Sequence, residues 1–239
     1  MNLIIDIGNT SVKAALVSEG VIISQERFDS ADPEMLGMFT GRRRLSGAIV
    51  SSVSGDQSEL FDWLRTRAGR VHHLTSRSLY PFAIDYMTPE TLGTDRLAAA
   101  AGAVNHHPGA DLLVIDAGSA LTVDQVTGGV YRGGSISPGL AMRFRALHEF
   151  TGKLPLVTKR TGFTVPGKTT EDAIAGGVIT GLVYEIIEYI RTFKEKYHNS
   201  VAVITGGDSG LVTPLAGGRL LHYPDLVTEG LNFLLETNV

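Results

Sequence analysis

A chain of 239 residues with 21 Lys+Arg against 25 Asp+Glu carries a formal net charge of −4, which argues against a protein built to wrap nucleic acid. It contains no cysteine, which excludes disulfides, thiolate nucleophiles, Fe–S clusters and Cys-based zinc sites. The compositional oddity is glycine, with 28 residues, about 12% where ~7% is usual.

Near the N-terminus, Asp6 and Asn9 interrupt the apolar core that a signal peptide needs, and no continuous apolar run approaches ~18 residues. A cytoplasmic chain with no membrane span is expected. Strands are predicted over 3–6, 12–17 and 21–28, separated by turns at 8–10 and 19–20. A helix over 33–39, a buried strand over 48–51, an amphipathic helix over 57–68 and a strand over 71–74 follow. The Ala-rich stretch 94–105 reads as a helix.

Then the opening pattern returns. Residues 112–116 form another apolar run ending in an acid, followed by Gly118, a strand over 121–126, the turn Gly128-Gly129 and a third strand. At an offset of 110 residues, Leu3/Leu113, Ile5/Ile115, Asp6/Asp116 and Gly8/Gly118 coincide. The shared order strand–DxG–strand–turn–strand predicts a duplicated βββαβα domain, with halves over 1–105 and 106–239 packed face to face. The second half continues with a helix after Pro138, a polar loop over 153–168 and a long helix over 170–197. A strand over 201–205, Gly206-Gly207-Asp208, a short helix, a strand near 220–222 and a final helix complete it.

Two hairpins carry the chemistry. In Asp6-Ile7-Gly8-Asn9-Thr10-Ser11-Val12-Lys13 an acid ends a buried strand, an expensive placement unless the carboxylate has a task such as holding Mg²⁺ directly or through water. Gly8 allows close backbone approach to an anion, Asn9, Thr10 and Ser11 add donors, and Lys13 on the neighbouring strand is within reach of a phosphate. The same residues also spell an ordinary turn. Asp116-Ala117-Gly118-Ser119-Ala120 repeats the acid, the glycine and a hydroxyl. Two such hairpins facing each other across a cleft would grip a polyphosphate from both sides, and the pairing resembles the actin, Hsp70 and sugar-kinase superfamily. A third motif, Gly93-Thr94-Asp95-Arg96, opens the Ala-rich helix. Its residues serve either as helix caps or as a general base beside an anion-holding arginine.

Taken in order, the first hairpin, GTDR, DAGSA, the run Gly133-Gly134-Ser135-Ile136-Ser137-Pro138-Gly139, and Gly167-x-x-Thr170 before a long small-residue helix resemble type III pantothenate kinases over nearly the whole chain. The resemblance implies an α/β, actin-like (RNase H-like) duplicated fold with a nucleotide cleft between the halves. It implies ATP-dependent phosphorylation of pantothenate, the first step towards coenzyme A, by a homodimer joined through the helix bearing Gly176, Gly177 and Gly181. ATP with Mg²⁺ and a monovalent cation, K⁺ or NH₄⁺, are the implied cofactors. Carried over by position, Asp6, Gly8, Asn9, Thr10, Ser11, Lys13, Gly118 and Ser119 would bind ATP, and Asp116 would hold the monovalent cation. Asp95 would be the base. Tyr86, Gly93, Thr94, Asp95, Arg96 and Thr170 would line the pantothenate site. Thr88 replaces the family's usual Asn before Pro, and Ser119 its usual Thr.

Competing signals are weaker. Gly162–Thr169 matches G-x-x-x-x-G-K-[ST], but a charged, proline-broken stretch precedes it where a P-loop needs a buried strand. No HExxH or GxSxG pattern occurs. Arg42-Arg43-Arg44 is the lone hint of a nucleic-acid contact and reads as a solvated turn. Another actin-like small-molecule kinase, for a sugar or acetate, and a non-enzymatic regulatory relative are the alternatives.

Overall fold

The computed structural model describes residues 1–8, 10–52, 57–159 and 161–238. Its elements are β1 (Asn2–Ile7), β2 (Val12–Ser18), β3 (Val21–Phe28), α1 (Pro33–Thr40), β4 (Gly47–Ser52), α2 (Ser58–Arg67), β5 (Val71–His73), β6 (Ala83–Ile84) and α3 (Thr94–His106). They continue with β7 (Leu112–Ala117), β8 (Ala120–Thr127), β9 (Val130–Pro138), α4 (Leu140–Glu149), α5 (Thr170–Lys196), β10 (Val201–Thr205), α6 (Ser209–Leu215), β11 (Leu221–His222) and α7 (Leu226–Thr237). The predicted elements are all present, with ends shifted by a few residues at most.

By contacts the chain divides into two units. One comprises Met1–Pro108, Gly129–Tyr131 and the C-terminal segment from Asp225; the other comprises Gly109–Gly128 and Arg132–Pro224. The sequence reading places residues 225–239 with the second half, whereas α7 packs on α3, β1 and β4 of the first.

The first unit is built on a sheet in the order β3-β2-β1-β4-β5. Strands β1 and β4 are parallel and central, so both their faces are covered and both read as apolar runs. On one face Leu3, Ile5, Ala48 and Val50 pack with Leu36 of α1 and with Leu60 and Leu64 of α2. On the other lie α3 and α7, and there Asn2 donates to Asn232 and Glu236 of α7. Helix α3 is buried at nine positions, five of them alanine, because it is enclosed on most sides. Its approach to α7 is glycine-dependent. A Cβ at Gly102 would strike the Leu226 carbonyl, and one at Gly230 would strike the Ala98 carbonyl. Gly230→Ala is therefore expected to destabilise the protein by about 2–4 kcal/mol, since backbone must move. Denaturant unfolding would show it; an unchanged midpoint would contradict the close α3–α7 contact.

In the second unit β11, β10, β7, β8 and β9 lie side by side, the same topology as β5-β4-β1-β2-β3. Duplication is thus visible in register as well as in sequence. Asp6 faces Lys13 on β2 and Ser51 on β4; Asp116 faces Thr122 on β8 and Thr205 on β10. Strand β6 pairs with Val130 and Tyr131 at the start of β9, the short piece that clusters with the first unit.

Helix α5 bears on the membrane expectation without overturning it. Although no unbroken apolar run reaches membrane length in the sequence, α5 is, among the described residues, the one helix long and apolar enough to cross a bilayer by length and composition. Its buried residues Ile179, Leu182, Val183, Ile186 and Ile190 lie in the core of the second unit with Leu113, Ile115 and Phe144. That packing explains the apolar stripe without a bilayer.

Candidate active site

Asp6 sits at the end of β1, one residue before the strand stops, where the sheet offers side chains from both neighbours. Its Oδ1 is buried and has no hydrogen-bond partner among the described residues. Ser51, its parallel neighbour, hydrogen-bonds the carboxyl group. Burial is the largest influence on Asp6 and, with the nearby Asp95 carboxylate, pushes its pKa up to about 6; Ser51, Lys13 and Arg27 oppose that shift. Two acids from different elements therefore converge on one spot.

The second acid comes from the start of α3. Thr94 does not cap the helix; its hydroxyl bonds Ser51 at 3.0 Å, a buried contact tying α3 to the end of β4. The N-cap position is Gly93, with no side-chain cap bond. Asp95 Oδ1 accepts instead from the Arg96 amide at 2.9 Å. Gly93 is needed for this, because a Cβ there would overlap Asp95 Oδ1. The capping alternative for Thr94 and Asp95 is thus replaced by one in which Thr94 anchors and Asp95 is held beside Asp6. Arg96 is buried, with 7% of its surface exposed.

Lys13 lies opposite Asp6 on β2, as expected, but its ammonium donates to Asp225 Oδ1 at 2.8 Å. Gly8 lies in the turn between β1 and β2. Its own N–H closes the turn onto the Ser11 carbonyl at 3.1 Å, so it is not a donor for an anion. Ser11 Oγ receives a long contact from Arg27 at 3.4 Å. Thr10 is exposed, and Asn9 lies outside the described residues. A cavity of about 710 Å³ opens beside this hairpin, lined by Gly8, Thr10, Ser11, Asp32 and Ser58 among others.

The substrate loop precedes α3. Tyr86 is partly buried, and Thr88 is exposed. The Thr91 hydroxyl contacts both the carbonyl and the hydroxyl of Thr88 at 2.9 Å, closing the 3₁₀ turn Pro89–Thr91. Thr88 thereby supplies local support where the family's usual residue is Asn.

In the second unit, Gly118 N–H closes the matching turn onto the Ala120 carbonyl at 3.0 Å. The end of β10 packs against it. A Cβ at Gly206 would run into Asp116 Oδ1 and the Ala117 carbonyl, and one at Gly139 into the carbonyls of Gly118 and Ser119. The Asp208 amide donates to the Ala117 carbonyl at 2.8 Å, and Lys159 pairs with the Asp208 carboxylate at 2.6 Å. Ser119 is exposed at the turn. Thr170 is the first residue of α5 and exposed, while the cap is Thr169, whose hydroxyl accepts from the Asp172 amide at 3.1 Å.

Several other signals resolve as structural. No strand precedes the P-loop-like run, for residues 154–159 have no regular structure. Arg43 donates to the Phe39 and Thr40 carbonyls at the C-terminus of α1, a helix-capping role. His72 bonds Ser78, and His106 bonds Glu229. Among the described residues no group of three His, Asp or Glu can form a protein-only metal cage. Mg²⁺ needs none, because one or two carboxylates with substrate phosphates and water suffice. The buried, partnerless Asp6 Oδ1 fits that demand. Beside Asp116, the glycines at 118 and 206 let the backbone approach its carboxylate closely, since a Cβ at either would crowd Oδ1.

The chain is similar to known proteins over its whole length. The family model described as type III pantothenate kinase matches residues 2–192. The chain belongs to the type III pantothenate kinase family. Relatives named type III pantothenate kinase include one from Porphyromonas gingivalis, 40% identical over 100% of this chain and 99% of its own length. Another from Christiangramia forsetii is 37% identical over 100% and 99% of the two chains. Among solved structures, a conserved putative Baf family transcriptional activator from Campylobacter jejuni has a TM-score of 0.64 at 20% identity, covering 99% of this chain and 98% of that one. A ROK family glucokinase from Streptomyces griseus, in complex with glucose and AMPPNP, has a TM-score of 0.55 at 14% identity with the same coverage. These likenesses give the family member its actin-like kinase fold, as the sequence pattern predicts.

Sequence reasoning missed Ser51 and Arg27 around Asp6, Asp225 on Lys13, and Lys159 beside Asp208. Their neighbourhood follows from strand order and from the return of α7, neither of which leaves a local motif.

Proposed function

We propose that the protein transfers the γ-phosphoryl group of ATP to the primary hydroxyl of pantothenate, giving 4'-phosphopantothenate and ADP, the first step towards coenzyme A. Support comes from one observation above all: the family kinship runs end to end, while Asp95 of its GTDR motif stands beside Asp6. Asp95 accepts the hydroxyl proton as the oxygen bonds to the γ-phosphorus and the bond to the β–γ bridging oxygen breaks. Phosphoryl transfer depends on placement and charge neutralisation, so Lys13 and the hairpin donors Thr10, Ser11 and Ser119 bind the phosphates, with Gly8 and Gly118 shaping the turns and Asn9 assigned with them. Asp6 holds Mg²⁺, directly or through water; when bound, that ion neutralises phosphate charge. Asp116 holds a monovalent cation, K⁺ or NH₄⁺. Tyr86, Gly93, Thr94 and Arg96 form the pantothenate site, to which Thr170 contributes from a second copy.

We also assign the protein to a cytoplasmic homodimer with neither nucleic-acid nor membrane partners. The positions Gly177 and Gly181 on α5 face open space, and Ile136 and Tyr184 of the same unit are more than half exposed. These are features that a second chain would cover.

ATP consumption measured over a panel of pantothenate, hexoses, acetate and no acceptor tests the activity. Turnover with pantothenate alone is expected; turnover with a sugar alone would replace this function with that of another actin-like kinase.

A further inference from the structure

A lysine ammonium has three donors on a long flexible stem. In Lys13 one donor is taken by Asp225, at 2.8 Å, with 20% and 26% of the two side chains exposed. Two donors remain for phosphate oxygens. A second carboxylate close to Lys13 is Asp6, the residue directly opposite it on β1. Facing residues on neighbouring strands have Cβ atoms only ~4.5–5.5 Å apart. A lysine that turned to Asp6 would neutralise the carboxylate assigned to Mg²⁺ and leave the phosphates without its charge.

Asp225 is well fixed for this competition. It stands immediately before α7 and makes no side-chain cap bond to that helix, so its Oδ1 is available to Lys13. Helix α7 is locked on α3 by the close contacts at Gly102 and Gly230. Helix α3 in turn opens on Thr94-Asp95-Arg96. One helix pair therefore sets both the base and the anchor of the lysine.

We propose that Asp225 is a positioning residue for phosphoryl transfer, holding the Lys13 ammonium away from Asp6 and towards the nucleotide phosphates. This rests on the assignment of Lys13 to ATP. The test is a double-mutant cycle of Asp225→Ala and Lys13→Met in the full-length protein. Its readouts are KM for ATP, KM for pantothenate, affinity for a non-hydrolysable ATP analogue, and thermal melting. Asp225→Ala is expected to raise KM for ATP and weaken the analogue on the order of ten-fold, with pantothenate KM and melting unchanged. Asp225→Glu should recover part of the loss. In the Lys13→Met background, Asp225→Ala should have no further effect.

A normal ATP KM in Asp225→Ala beside a raised one in Lys13→Met would overturn the role of Asp225 alone. So would a penalty that persists without Lys13, or a lowered melting temperature with both KM values raised, which marks a structural role. Unaltered ATP kinetics in Lys13→Met would overturn the phosphate assignment beneath the proposal as well.

Discussion

Asp95→Asn is expected to lower kcat by on the order of 10²–10⁴-fold, the usual contribution of a general base, while leaving KM for pantothenate nearly unchanged. The split follows from geometry. The amide keeps the size of the carboxyl group, and its oxygen can still accept from the Arg96 amide as Asp95 Oδ1 does at 2.9 Å. The Ser51–Thr94 bond that anchors the helix start is untouched. What is lost is the capacity to accept a proton and the negative charge beside Asp6. Steady-state kinetics with a melting curve check it: a folded variant with undiminished turnover would remove Asp95 from the role of base.

Asp6→Asn is expected to abolish most activity and yet stabilise the metal-free protein at neutral pH. The Asp6 carboxyl is raised from 3.8 to about 6, mainly by burial and secondly by Asp95. The folded state thus holds its proton more tightly than the unfolded chain. The stability associated with the protonated group is fully present below about pH 4 and is lost as pH rises through 6. A shift of about 2 units corresponds to about 3 kcal/mol. Thermal melts without Mg²⁺ should therefore show the variant more stable than the parent above pH 7, with the difference shrinking to nothing near pH 4. A difference that is flat across this range would contradict a strained, ionised Asp6. The stability given up at neutral pH is the physical counterpart of a carboxylate kept ready for a cation.

Much of this was readable from residues. A buried strand ending in an acid, followed by glycine and hydroxyls, pointed to the strand-end positions that Asp6 and Asp116 occupy, because local chemistry and strand period both lie within ten residues. The repeat at an offset of 110 gave the duplicated topology, now seen in the matching neighbours of the two acids. Ser51 and Asp225 were not readable. Ser51 meets Asp6 because β4 inserts beside β1, and Asp225 meets Lys13 because the chain end returns to the first unit across 212 positions. At Gly8 the tight turn itself claims the N–H, which donates to the Ser11 carbonyl. Thr94 illustrates a competition that spacing cannot decide, since a helix-start hydroxyl serves equally as cap or as tertiary anchor, and here Ser51 takes it.

The destination of the phosphoryl group distinguishes this activity from every other most directly. ATP labelled in its γ-phosphoryl, incubated with pantothenate, Mg²⁺ and K⁺, should yield a labelled phosphomonoester on the primary hydroxyl of pantothenate, in step with ADP. Label found in inorganic phosphate alone, or on another acceptor while pantothenate stays unmodified, would contradict it.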